Sequence, residues 1–207
     1  MTANCAVFAS GGGSNFQMLI DRRDAGELKA QLCVCIVNNS VAGAAERARK
    51  NAIPVVHCAP SHFADETAYS ETLLRHLEAY HVDLIVLAGY MKMLPGALVQ
   101  RFRNRIINIH PGLLPAFGGK GMYGGNVHKA VLAYGAKVSG ITVHFVDEEY
   151  DHGPVIFQQT VPVLDDDTPE TLAARVLAVE HASLWRVVNA VSTGAVRVEG
   201  RRVFGEV

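Results

Sequence analysis

The chain has 207 residues, of which 49% are hydrophobic and 19% charged, with 19 Lys and Arg against 20 Asp and Glu. That balance provides no global basic field for nucleic acid or membrane lipid, and no apolar run approaches the roughly 20 residues of a spanning helix. The length fits a single domain, read as 1–207, with room for a sizeable core.

The N-terminus lacks the basic start of a signal peptide, so the cytoplasm is the expected compartment. Residues 5–10 read as a first strand and 14–25 as a helix. A strand at 32–37, a helix at 42–50 and a strand at 53–57 follow. Residues 65–80 carry Tyr69, Leu73, Leu77 and Tyr80 at helical spacing, which predicts a long amphipathic helix. Residues 82–88 form a nearly continuous apolar run, as expected of a strand buried on both faces. Pro95 opens a short helix to about residue 102, and 105–109 is a fifth strand. This alternation predicts a Rossmann-like, mostly parallel twisted sheet of about seven strands, with helices on both faces and right-handed crossovers.

The later chain changes character. Residues 116–127 are too glycine-rich for the interior of a helix or strand, and read as a flexible surface loop or a mobile lid. Two longer β-branched runs, 138–146 and 155–163, suggest two more strands. Thr168-Pro169-Glu170 starts a helix to about residue 191, with Thr as cap and Pro in first place. Residues 196–198 and 202–204 look like a terminal hairpin.

Cys33 and Cys35 alternate in one strand-like run and are expected to share a face. All four cysteines, with Cys5 and Cys58, read as buried residues with reduced thiols. The nine histidines show no clustered ligand pattern, so no metal is expected.

Ser10-Gly11-Gly12-Gly13-Ser14-Asn15 joins the first strand to the first helix. Glycines permit close backbone approach, and a helix N-terminus offers unpaired N–H groups to an anion. Phe16 stands where a dinucleotide fingerprint needs its third glycine, and Asn38-Asn39 replaces the acid expected on a ribose hydroxyl. A phosphate monoester suits this loop better than a dinucleotide. The alternative is a tight turn with Ser14 as helix cap.

Asn108 and His110 alternate on a strand and face one way, Pro111 ends the ladder, and Asp151 follows at another strand-like run. An amide can donate to an oxyanion, an imidazole can carry a proton, and a carboxylate can hold that imidazole charged. A lone strand-end histidine can equally be structural. Neither a Gly-x-Ser-x-Gly elbow nor a papain-type cysteine context is present. That favours direct attack of one substrate on another.

These motifs carry a resemblance. Ser10 to Asn15, Leu87-Ala88-Gly89-Tyr90-Met91-Lys92-Met93-Leu94, Asn108-Ile109-His110-Pro111-Gly112-Leu113-Leu114-Pro115, Thr142-Val143-His144-Phe145-Val146-Asp147 and Asp151-His152-Gly153-Pro154-Val155-Ile156 resemble the phosphoribosylglycinamide formyltransferases. The resemblance covers nearly the whole chain. It implies formyl transfer from 10-formyltetrahydrofolate, as co-substrate, to glycinamide ribonucleotide in purine synthesis. It implies that Gly13, Ser14 and Asn15 hold the ribonucleotide phosphate and that Glu180 contacts the same substrate. Met91, Lys92, Met93 and Leu94 match the segment beside the pterin, and Val146, Asp147 and Asp151 a loop closing over it. His144 matches a supporting position. Asn108, His110 and Asp151 would be catalytic, with Asp151 raising the His110 pKa. The sequence departs from the family pattern at Lys92, at Glu66, where an arginine is expected, and at Leu177, often polar or basic.

Related enzymes with additional RNA-binding or regulatory domains fit less well, because the chain starts at its first sheet strand and ends after one hairpin. Other formyltetrahydrofolate-dependent transferases, a hydrolase and a non-catalytic binding module are the competing readings. Only small-molecule partners are expected, with no nucleic acid or membrane, for a monomer or homodimer.

Overall fold

The computed structural model describes residues 2–207. In chain order the elements are β1 (Asn4–Ala9), α1 (Ser14–Asp24), β2 (Gln31–Val37), α2 (Gly43–Lys50), β3 (Val55–His57), α3 (Glu66–Ala79), β4 (Leu84–Leu87), α4 (Gly96–Arg101), β5 (Ile106–His110), α5 (Gly125–Tyr134), β6 (Val138–Phe145), β7 (Val155–Pro162), α6 (Pro169–Ser192), β8 (Val196–Glu199) and β9 (Arg202–Gly205).

The first seven strands other than β8 and β9 form one sheet in the order β3-β2-β1-β4-β5-β6-β7. The pairs from β3 to β5 are parallel, and β6 and β7 add antiparallel. The expected mostly parallel α/β sheet is thus present, with β8 and β9 as a separate hairpin. Chain order reverses between β1 and β4, so a crevice opens at their carboxyl ends, where open α/β sheets bind ligands. Ser10 bridges that crevice. Its N–H donates to Gly89 O at 3.1 Å, and its Oγ accepts from the Met91 N–H at 2.9 Å.

Strand alternation sorts the core into two layers. Val7, Ile107 and Val143 face the layer built with α1, α2, α5 and α6. Phe8, Ile85 and Ile106 face the layer built with α3 and α4. Burying each large side chain contributes roughly 1.5–3 kcal/mol. The long C-terminal helix starts as its sequence predicts. Thr168 accepts from the Thr171 N–H, Thr171 Oγ1 accepts from the Thr168 N–H at 2.9 Å, and Pro169 takes the first position. Such a cap is worth about 1 kcal/mol.

Three expectations need correction. Cys33 and Cys35 do not share a face. The register of β1 against β2 shifts between Cys5 and Ala6, whose partners are Leu32 and Val34. The extra residue is Cys33, which turns to the α3–α4 layer while Cys35 faces the other. A bulge resets the alternation in this way. Ser14 is not a helix cap: Gly13 occupies that position in the left-handed region, at φ 73, and no side chain caps α1. A Cβ on Gly13 would also lie 2.8 Å from that of Ala44, so glycine is needed twice over. Finally, the segment read as loop ends in a helix, α5, which buries Val127 and Val131 on one face.

Candidate active site

The site grows from the pairing of β5 with β6. Asn108 lies opposite His144, and His110 opposite Thr142. On both strands the intervening residues, Ile107, Ile109, Val143 and Phe145, are apolar and join the core on the other side. Four polar side chains therefore share one face. The Thr142 hydroxyl fixes the turn beyond His110. It donates to Gly112 O at 2.7 Å and accepts from the Leu114 N–H at 3.0 Å. Gln158 adds a bond from Nε2 to Leu114 O at 2.9 Å.

Asp151 meets this face from the loop between β6 and β7. Its Oδ2 lies 3.5 Å from His110 Nδ1, and its Oδ1 lies 3.5 Å from Asn108 Nδ2. His144 Nδ1 lies 2.8 Å from Phe145 O, and its Nε2 lies 3.1 Å from Asn108 Nδ2 and 3.6 Å from Asp151 Oδ1. That contact holds the amide while leaving its second N–H aimed toward Asp151 and the cavity. His110 Nε2 faces the carbonyl of Phe117 at 2.9 Å. The sequence-predicted Asn108, His110 and Asp151 are thus brought together.

Asp151 pulls the His110 pKa up, as its proximity implies, but a larger effect opposes it. Both ring nitrogens of His110 face acceptors, the arrangement that suits an imidazolium. Yet His110 is only 3% exposed, and burial pulls its pKa below the usual value, against the opposing pull of Asp151 and the Phe117 carbonyl. Desolvation outweighs one carboxylate at 3.5 Å. Burial pushes the Asp151 carboxyl up, but His144, His110 and the Gly119 N–H together outweigh it and hold it low.

These residues line a cavity of about 620 Å³, within the range of small-molecule sites. Met91, Lys92, Met93 and Leu94, after β4, form one wall, and Val146 and Asp147 reach it from the Asp151 loop. Asn15 and Glu180 line it as well. Asn15 Nδ2 donates to Glu180 Oε2 at 2.7 Å. Burial pushes the Glu180 carboxyl up to about 7, with the Asn15 bond opposing. Ser14 lines a neighbouring groove between α1 and α6 instead, and Gly13 lines neither. Arg47 braces their loop through Nε to Gly12 O at 2.8 Å.

Several contributors escaped the sequence reading. His128 on α5 lines the cavity, and burial lowers its pKa. Among the described residues, its Nδ1 and the Oδ1 of Asn15 are buried without a hydrogen-bond partner. Both residues line this cavity. Thr142 carried a usable signal, because it alternates with His144 as Asn108 does with His110. The Phe117 carbonyl and Gly119 N–H are backbone groups with no side-chain signature. No group of three or more His, Cys, Asp or Glu among the described residues is placed to hold a metal ion.

A family model described as formyl transferase matches residues 3–188. The chloroplastic phosphoribosylglycinamide formyltransferase of Arabidopsis thaliana is 50% identical over 188 residues, covering 90% of this chain and 64% of that protein. This chain therefore spans less than two thirds of that relative's length. The phosphoribosylglycinamide formyltransferase of Bacillus subtilis is 38% identical over 176 residues, covering 85% of this chain and 88% of that one. The crystal structure of glycinamide ribonucleotide transformylase 1 from Symbiobacterium toebii is similar with a TM-score of 0.93 at 39% identity, covering 99% of this chain and 94% of that one.

Proposed function

The chain belongs to the formyl transferase family, and from that premise we propose that it moves the formyl group of 10-formyltetrahydrofolate to the amine of glycinamide ribonucleotide in purine biosynthesis. One observation carries the reading. Asn108, His110 and Asp151 converge in a cavity that Asn15 and Glu180 also line. Its polar groups suit acyl chemistry beside His110 and a polar substrate beside Asn15.

The family resemblance, together with the geometry of the cavity, supports the following roles. The free N–H groups at the start of α1, from Ser14 and Asn15 beyond the Gly13 turn, hold the phosphate. Glu180 and the Asn15 carbonyl oxygen take hydroxyl or amine groups of the same substrate. Met91 to Leu94, with Val146 and Asp147, flank the pterin. Asn108 donates to the oxyanion that develops as the amine attacks, supported by His144. His110 is neutral beforehand and gains its proton as charge develops beside it. The amine proton passes through water and Asp151 to His110, which becomes an imidazolium against the Asp151 carboxylate and delivers that proton to the leaving folate nitrogen. One well-aimed oxyanion donor is worth roughly 2.7–4 kcal/mol.

Residues 1–207 are proposed to form a single formyltransferase domain, since the terminal hairpin packs its valines on the same core as the sheet. No helix among the described residues is long and apolar enough to cross a membrane. The cytoplasm is the proposed compartment, on four free cysteines; the plant relative above is chloroplastic. A spectroscopic assay of tetrahydrofolate release tests the function, with and without glycinamide ribonucleotide. Release that requires the ribonucleotide, with formylated product, is expected. Release without it indicates a hydrolase, and no release with either rejects the reading.

A further inference from the structure

Asp151 sits in an unusual backbone state. Its φ is 54, in the left-handed region that non-glycine residues seldom occupy. The loop carrying it, 146–154, is anchored on its outer side by a chain of side chains. Asp147 accepts from the Glu149 N–H at 3.0 Å and from His152 Nδ1 at 2.7 Å. That leaves His152 Nε2 with a lone pair, which accepts from Arg201 Nη1 at 3.1 Å. Arg201 Nη2 donates to the carbonyl of His152 as well. One guanidinium therefore grips both the ring and the backbone of the residue next to Asp151. Gly153 completes the anchor, because a Cβ there would lie 1.9 Å from Phe145 O.

Arg201 lies 49 residues from His152, at the turn of the β8–β9 hairpin. Val196, Val198 and Val203 of that hairpin pack on the core, so the guanidinium is presented from a fixed element. We infer that Arg201 is a positioning residue for formyl transfer: through His152 and Asp147 it holds the 146–154 loop so that Asp151 meets His110 and Asn108. The inference rests on the proposed function. The side chains of His152 and Asp147 are 47% and 27% exposed, and surface pairs of this kind add little to stability. The effect of Arg201 is therefore geometric, in a reaction where a misplacement of about 1 Å costs up to about a hundredfold. Arginine suits the task because its planar fork serves two acceptors at once.

The test compares the full chain with Arg201→Ala, Arg201→Lys and His152→Ala, by amide hydrogen exchange and by steady-state formyl transfer. For Arg201→Ala, the Glu149 amide exchanges about tenfold faster, kcat falls about tenfold, and KM for the ribonucleotide stays within about twofold. Arg201→Lys restores part of kcat, since an ammonium reaches only one acceptor. His152→Ala keeps the carbonyl bond and loses less. Unchanged exchange in Arg201→Ala would overturn the clasp. Faster exchange with wild-type kcat would overturn the positioning role. Faster exchange in a chain that transfers no formyl group would sink the proposed function while supporting the clasp.

Discussion

The backbone N–H of Gly119 donates to Asp151 Oδ2 at 2.9 Å across 32 residues of chain. Two residues earlier, the Phe117 carbonyl meets His110 Nε2 at 2.9 Å. The glycine-rich segment is therefore fastened to both members of the His–Asp pair and sets their separation. Phe117 has φ 54 and Gly119 φ 94, so the chain turns sharply enough to present a carbonyl to one partner and an N–H to the other.

This fastening predicts that Gly118→Ala impairs turnover. A Cβ there would lie 2.4 Å from Leu114 Cδ2 and 3.2 Å from Asp151 Cβ. Leu114 is buried, so the strain must shift the segment or Asp151. Overpacking of this kind costs about 1–3 kcal/mol, and melting should fall by a few degrees. Turnover should fall by about tenfold or more. Kinetics and thermal denaturation of the variant measure both, and wild-type values for the two would remove Gly118 from the argument.

On the proposed function, Asn108 and Asp151 serve the transferring carbon, whereas Asn15 and Glu180, which line the same cavity, serve the ribonucleotide. Asn108→Ala should therefore lower kcat by about 10²–10³-fold, with KM for the ribonucleotide nearly unchanged. Asp151→Asn keeps the shape and removes the charge, and its loss should likewise fall on kcat. Steady-state kinetics with each substrate varied will separate the terms. A rise in KM at constant kcat for either variant would contradict the assigned roles.

The parts legible in the sequence were those with a side-chain period. Asn108 and His110 were visible because polar residues at alternate positions interrupt apolar β5. Thr168-Pro169-Glu170 was visible because cap, proline and acid each have a fixed place. The bulge at Cys33 was not, because one extra residue in a strand leaves no compositional trace in the apolar run from Leu32 to Val37. Helix α5 was hidden by Gly124-Gly125 at its start, although Val127 and Val131 have helical spacing. The contacts made by Phe117 and Gly119 are backbone contacts, fixed only when β5, β6 and their loops meet. The desolvation of His110 was illegible for a related reason: its burial arises only when the folded chain packs around its ring, with the Phe117 carbonyl against Nε2.

That desolvation gives a direct measurement. His110 should titrate below the usual 6.5, because burial penalises the imidazolium more than Asp151 favours it. In Asp151→Asn the favourable charge is gone and burial acts alone, so the midpoint should move lower still. NMR of the ring carbons over pH 4–8 follows both proteins. The sign for stability is also set. The folded pKa lies below the unfolded one, so the His110 contribution is lost as pH falls from about 6.5 through the folded value. A midpoint above 6.5 in the wild type, or an upward move in the variant, would reverse this account.

Glu180 makes the opposite prediction. Burial raises its carboxyl from 4.5 to about 7, against the Asn15 bond. Between those values the folded chain keeps a proton that the unfolded chain has released. Stability from this group is therefore full below about pH 4.5 and is lost as pH rises to about 7, by roughly 3 kcal/mol at most. Glu180→Gln keeps an acceptor for Asn15 and has no proton to lose, so this slope should vanish. Urea denaturation at pH 5 and pH 8 compares the two proteins, and the wild type should lose more stability across that interval. The same variant leaves a neutral amide facing the cavity, so any affinity for the ribonucleotide that depends on the Glu180 carboxylate should lose its pH dependence around 7. An equal loss of stability in both proteins would show that the carboxyl is not held neutral by its burial between α1 and α6.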